Sequence, residues 1–168
     1  ETGKKINQII NKKKIKLHFI GALQSNKIKK AIKIYNVIET VASEKHLFKI
    51  QKEAKKINKK QQIYFQINIG NDPKKKGLTI KELPCLLEKT LRLNKVQFEG
   101  LMTILPQNRT PEDQINLDTK MKKLFLKTKK DYPACKNLSM GMSNDFERAS
   151  KVGATHVRIG TALFGDRK

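Results

Sequence analysis

Two segments close to the C-terminus carry residue types suited to gripping an anion. In "LSMGMSND" (138–145), Ser139, Gly141 and Ser143 crowd around a bend just ahead of a helix with acids in its first turn. In "HVRIGTALFG" (156–165), an arginine interrupts an apolar run, and Gly160 and Thr161 follow at once. Glycine lets a backbone N–H come close to an anion, and a neighbouring Ser or Thr adds a hydroxyl donor. Plain strand-to-helix turns use the same residues, so on residue types alone a phosphate cup and an ordinary turn stand level. Arg158 shares its run with Val157 and Ile159, and strand alternation puts it on the face opposite theirs. If buried there, its guanidinium needs a carboxylate or a ligand atom. A surface salt bridge is the plainer fate of an arginine.

The other chemistry-bearing residues assemble into less. "FQIN" ends in Asn68, and "ALQSNK" (22–27) is a polar cluster after an apolar run. His18, His46 and His156 are scattered: His46 is expected to be exposed on a helix, His18 and His156 packed or half-exposed in strands. No Ser/His/Asp or paired-carboxylate set emerges. "GNDPKKKG" (70–77) lacks the spacing of a P-loop. Cys85 and Cys135 stand far apart, without metal-ligand or disulfide spacing, which suits reduced thiols in a cytoplasmic protein.

The elements that must position these residues alternate between two hydrophobic periods. Residues 1–13 read as a helix. Short apolar strands follow at 17–21, 36–41, 62–70, 96–104, 137–143 and 155–160. Between them lie helical segments at 25–35, 43–60, 79–93, 110–132 and 145–153. Ser25 or Asn26 is a plausible cap, Pro84 must sit in a first turn, Pro111 suits a first helical position, and Gly153 suits a helix end. Strands regularly alternating with helices imply right-handed crossovers and a parallel sheet. Either an open doubly wound sheet or a (β/α)8 barrel fits, and both collect function at the C-terminal ends of the strands. A barrel needs eight strands, and six are seen.

The 168 residues suit one domain, 1–168, with 38% apolar residues. No run approaches the roughly 18 apolar residues that span a membrane, and no signal-peptide core opens the chain. A net charge of +22 invites a nucleic-acid reading. However, nearly all of the 37 basic residues are lysine, with five arginines, and aromatic residues are 6%. Base readout favours the arginine fork and single-strand binding favours aromatic platforms, so no specific nucleic-acid partner is expected.

"LHFIGALQSNK", "INIGNDPKKKGL", "FEGLMTILP" and "LSMGMSNDFERASKVGATHVRIGTALFG" closely resemble the signature segments of the YggS/PROSC family of pyridoxal-phosphate homeostasis proteins. They occur in the family's order over nearly the whole chain. The resemblance implies an α/β fold of the (β/α)8 TIM-barrel type, PLP fold type III, like the N-terminal domain of alanine racemase. It implies a pyridoxal 5′-phosphate (PLP) carrier or buffer that balances vitamin B6 and amino-acid pools without turnover. Ser143, Gly160 and Thr161 would hold the 5′-phosphate with neighbouring backbone N–H groups, and Arg158 would face the pyridine nitrogen. Gly141, Met142 and Asn68 complete the expected cofactor-binding set.

The family's cofactor-bonding lysine stands on a first strand, and a phenylalanine–glycine–glutamate–asparagine–tyrosine motif follows the second. Neither segment occurs here, which agrees with an incomplete barrel of about six strands. The expectation is therefore an N-terminally truncated or split protein that holds PLP non-covalently at best. Lys27 and Lys76, near strand ends, are expected to be solvated rather than to replace that lysine. Two open edges, at 17–21 and 155–160, invite pairing, and a separately encoded N-terminal fragment is the expected partner. A complete barrel would be monomeric. The alternatives are a remnant of a fold-type III amino-acid racemase or decarboxylase, and a basic nucleic-acid-binding protein.

Overall fold

The computed structural model describes residues 15–106 and 109–165. The helix expected at 1–13 lies outside the described residues. Six strands form one sheet: β1 (His18–Phe19), β2 (Val37–Val41), β3 (Gln61–Gln66), β4 (Val96–Met102), β5 (Asn137–Met142) and β6 (His156–Arg158). Every adjacent pair is parallel, and the spatial order β1-β2-β3-β4-β5-β6 follows the chain. A doubly wound sheet reverses its strand order at a switch point, whereas a barrel does not. The sheet also curls. The rings of His18 on β1 and His156 on β6 have centroids 5.7 Å apart, although these strands are its two edges. The architecture is an incomplete (β/α) barrel.

Six helices connect or follow the strands: α1 (Ile28–Ile34), α2 (Glu44–Lys56), α3 (Leu83–Leu91), α4 (Pro111–Asp131), α5 (Phe146–Val152) and α6 (Thr161–Phe164). Their starts and stops follow local chemistry. Ser43 caps α2 by accepting from the His46 N–H, and Thr110 caps α4 by accepting from the Asp113 N–H. Pro84 falls in the first turn of α3, where its missing N–H costs nothing. Gly153 closes α5 in the left-handed conformation at φ 98°. The cap expected at Ser25 or Asn26 is corrected. Both residues lie in a short 3-10 turn, Ser25–Lys27, and α1 begins after it without a side-chain cap. His46 is not exposed either. It is half-buried, and its Nδ1 is shielded from water without a hydrogen-bond partner among the described residues.

The inner strands β2 to β5 are largely buried on both faces, which is why they read as nearly continuous apolar runs, whereas the edge strands β1 and β6 are only half-buried. Ile38, Ile63, Phe65, Leu101, Leu138 and Met140 join the helices in the main core, where Leu47, Ile50, Leu86, Met121 and Phe125 meet them. The concave face carries a smaller apolar cluster of Val37, Tyr64 and Met102. It also holds polar residues, which bear on function.

Candidate functional site

The C-terminal ends of the strands open on a cavity of about 1170 Å³. Its lining joins residues from both edges of the sheet, among them His18, Glu39, Ser139, Ser143, Arg158 and Thr161. One irregularity aims the β5 end into it. Register slips between Ser139 and Met142, and Gly141 takes a positive φ of 92°. A Cβ at Gly141 would lie 2.6 Å from the Ala149 Cβ, so glycine is required for both conformation and helix packing. Beyond this kink, Met142 and Ser143 both face the cavity.

At the mouth, the backbone N–H groups of Gly160 and Ala162 converge on the hydroxyl oxygen of Ser143, at 3.0 and 3.4 Å. Gly160 has an ordinary negative φ, and a Cβ added there would meet nothing within 4 Å. Its glycine therefore keeps space open beside the convergent N–H groups instead of relieving strain. Thr161 follows it on the cavity wall. The β5 turn is fixed from below, where the Met142 N–H donates to the Asp145 carboxylate at 2.5 Å.

Deeper in the cavity, Arg158 donates from Nη1 to Ser139 Oγ at 2.7 Å and from Nη2 to the Thr103 carbonyl at 2.8 Å. The guanidinium has five donors in all. Both of these partners are neutral, so the charge is balanced through space. Burial draws the Arg158 pKa down, while the charges of Glu39 and Asp145 draw it up; the net direction is downward. Glu39 is 2% exposed and accepts or shares a proton with His18 Nδ1 at 2.6 Å. Burial pushes its carboxyl up. The His18 hydrogen bond, the Ser139 hydroxyl and the positive charges of His18 and Arg158 outweigh that, and the carboxyl sits below the ordinary carboxylate range. Its second oxygen, Oε2, is buried without a hydrogen-bond partner among the described residues.

His18, Tyr64 and His156 form a triangle of rings on the concave face, with centroids 5.7 to 6.1 Å apart. Burial and then the neighbouring His18 lower the His156 pKa, and burial with the charges of Glu39 and Glu99 raises that of Tyr64. Glu39 is the residue that motif reading passed over. Its signal was a carboxylate inside the apolar strand "NVIETV", all of whose β2 residues are buried. His18 and His156, scattered in sequence, come together because the sheet curls.

Two expected residues stand apart from the cavity. Asn68 spends its side chain on the 70–77 loop, donating to the carbonyls of Asp72 and Lys75 at 2.8 and 3.2 Å and accepting from the Asp72 N–H at 3.1 Å. Gly141 faces Ala149 on α5 instead of the cavity. Among the described residues no lysine lines the cavity, Lys27 and Lys76 included. Nor does any group of three or more His, Cys, Asp or Glu among them suit a metal ion. No helix among them is long and apolar enough to cross a membrane.

Comparison with known proteins converges on one family. Residues 8–168 match the family described as alanine racemase, N-terminal domain. The chain is 42% identical over 152 residues to the pyridoxal phosphate homeostasis protein of Aquifex aeolicus, covering 90% of this chain and 67% of that protein. It is 37% identical over 164 residues to the protein of the same name from Synechocystis, covering 97% and 75%. In structure it is similar to PipY of Synechococcus elongatus with PLP bound. The TM-score is 0.85 at 29% identity, over 96% of this chain and 76% of that one.

Proposed function

The chain belongs to the alanine racemase N-terminal domain family, among the pyridoxal phosphate homeostasis proteins, and from that premise we propose that it binds PLP as a non-catalytic carrier or buffer. The observation that carries this reading is the convergence of the Gly160 and Ala162 N–H groups on Ser143 Oγ, in the same cavity as Arg158. The residues present fit such a ligand. A hydroxyl with two N–H groups beside open space suits a phosphate, and a buried guanidinium with donors to spare suits an acceptor nitrogen. When bound, PLP supplies an aldehyde that condenses with amines and a ring that draws electrons.

The chain's residues divide the work of holding it. Ser143, Gly160, Ala162 and Thr161 take the phosphate end, with Met142 beside them. Arg158, anchored by Ser139 and Thr103, takes the ring nitrogen, and a fixed cation there disfavours protonation of that nitrogen. The weakened electron sink suits storage better than turnover. With no lysine on the described cavity wall, binding runs through phosphate and ring contacts. Asn68 acts on the 70–77 loop and has no direct part in this reading. Location in the cytoplasm belongs to the same proposal, as do a monomeric state for a complete barrel and the lack of a specific nucleic-acid partner.

Titration of the chain with PLP, followed by absorbance, tests the reading. Saturable one-to-one binding is expected. Inorganic phosphate should compete, and Ser143→Ala should weaken binding by about tenfold, the scale of one hydrogen bond to a charged group. Borohydride should leave no stoichiometric adduct. Absence of binding, or binding indifferent to both phosphate and Ser143→Ala, overturns the site. A stoichiometric reduced adduct overturns the non-covalent mode.

A further inference from the structure

The β5–α5 turn that presents Ser143 does not stand alone. Asp145 holds the Met142 N–H with Oδ1, and its Oδ2 lies 3.5 Å from Arg148 Nη2. Arg148 Nε in turn donates to Asp118 Oδ2 on α4 at 2.6 Å. The Asp118 side chain is 1% exposed, and its Oδ1 has no hydrogen-bond partner among the described residues. One helical turn further along α4, Lys122 Nζ donates to the Gly153 carbonyl at the other end of α5, at 3.0 Å. Helix α4 thus grips α5 at both ends from positions i and i+4 on one of its faces.

A bare buried carboxylate on α4 would be costly for the fold, so its retention calls for a partner that gains from it. That partner is the guanidinium that neutralises Asp145. Without it, Asp145 would carry an unpaired negative charge two residues from a phosphate-binding hydroxyl, with only the Met142 N–H to hold it. Burial, with the Asp145 charge, pushes the Asp118 carboxyl up despite the pull of Arg148, and the one guanidinium bridges two carboxylates in a string from α4 to the cup.

We propose that Arg148 is a positioning residue for the phosphate cup, holding the Met142–Ser143 turn in place through Asp145 and anchored by Asp118. It touches no ligand itself. The proposal rests on the reading of the Ser143 cup as a phosphate site, and its consequence is selective: it governs the phosphate end and leaves the ring end alone.

The test compares PLP with pyridoxal, which lacks the phosphate, on the full chain and on Arg148→Met. PLP affinity is expected to fall by about tenfold, within the range that positioning residues exert, with pyridoxal affinity unchanged. Equal losses for both ligands, or no loss for PLP, would overturn the proposal. If Arg148→Met does not fold, Asp145→Asn carries the same comparison, since it keeps an acceptor for the Met142 N–H and cuts the ion pair. Amide hydrogen exchange supplies a readout that needs no ligand. The Met142 and Gly160 amides should exchange faster in the variant, while the Leu138 amide, bonded to Thr155 Oγ1, should not. Unchanged exchange at Met142 and Gly160 sinks the relay even if PLP binds. Failure of the unaltered chain to bind PLP sinks the cofactor reading and leaves exchange to decide the relay.

Discussion

Arg158 on the last strand donates to the hydroxyl of Ser139 on the neighbouring strand at 2.7 Å, and the accepting side chain is fully buried. Removing that acceptor leaves a guanidinium donor unmatched in a confined place. Ser139→Ala is expected to destabilise the chain by about 1–3 kcal/mol, the penalty for a buried polar group that loses its partner. Urea unfolding measures it. Arg158→Met should weaken PLP binding by about tenfold or more and pyridoxal binding to a similar degree, since both carry the ring nitrogen.

The two glycines of the site should respond in opposite ways to the same substitution. Gly141→Ala puts a Cβ 2.6 Å from Ala149 Cβ at a positive φ, so a loss of about 1–3 kcal/mol in stability is expected. Gly160→Ala meets open space at an ordinary φ and should leave the melting temperature within about 2 °C. Its methyl group occupies room beside the convergent N–H groups, so the effect should appear in PLP affinity. Thermal melts and PLP titrations of both variants separate the two roles.

Acid should unfold the chain in two stages. His156 and His46 titrate below their ordinary value of 6.5, burial being the main cause for each. The unfolded chain therefore takes up their protons first, and stability falls as pH drops below 6.5 through the lowered folded values. Glu39 titrates below 4.5 because the His18 bond and its charged neighbours outweigh burial. Its contribution is present above 4.5 and is lost as pH falls through its depressed value. Melting temperature against pH should show both declines, with His156→Asn shallowing the first and Glu39→Gln the second. An unchanged first decline in His156→Asn would remove that histidine from the account.

The two thiols should differ in reactivity. Cys135 is buried and its pKa is pushed up to about 12, mainly by that burial, whereas Cys85 is exposed. Iodoacetamide at pH 8 should label Cys85 alone in the native chain and both cysteines in urea, because the thiolate is the nucleophile. Native labelling of Cys135 would show that the β5 side of the core opens on the labelling timescale.

Much of this fold was legible because the inner strands of the parallel sheet are largely buried on both faces and several helices carry local start or stop signals. Pro111 and Gly153 marked helix ends that hold in three dimensions. The phosphate-end residues were legible as well, since Gly and Ser at strand ends are local signals. Strand lengths were overread: the run 62–70 stops pairing as a strand at Gln66, and the Asn68 side chain turns to its own loop. The polar floor was not legible. His18 meets Glu39 through the pairing register of β1 and β2. It meets His156 only because the sheet curls, and curl is set by strand tilt and stagger across the whole sheet. A carboxylate inside "NVIETV" was the local trace of it.

The neighbour-by-neighbour strand order also bears on how the molecule is assembled. Each strand pairs with the one just before it in the chain, so the ladder can grow from either end through single helical crossovers. The ring contact between His18 and His156 is different, because it joins the first strand to the last. It closes only after every intervening pair is in place. The polar floor beneath Arg158 therefore matures at the end of folding, and its occupancy would report that the whole sheet has formed.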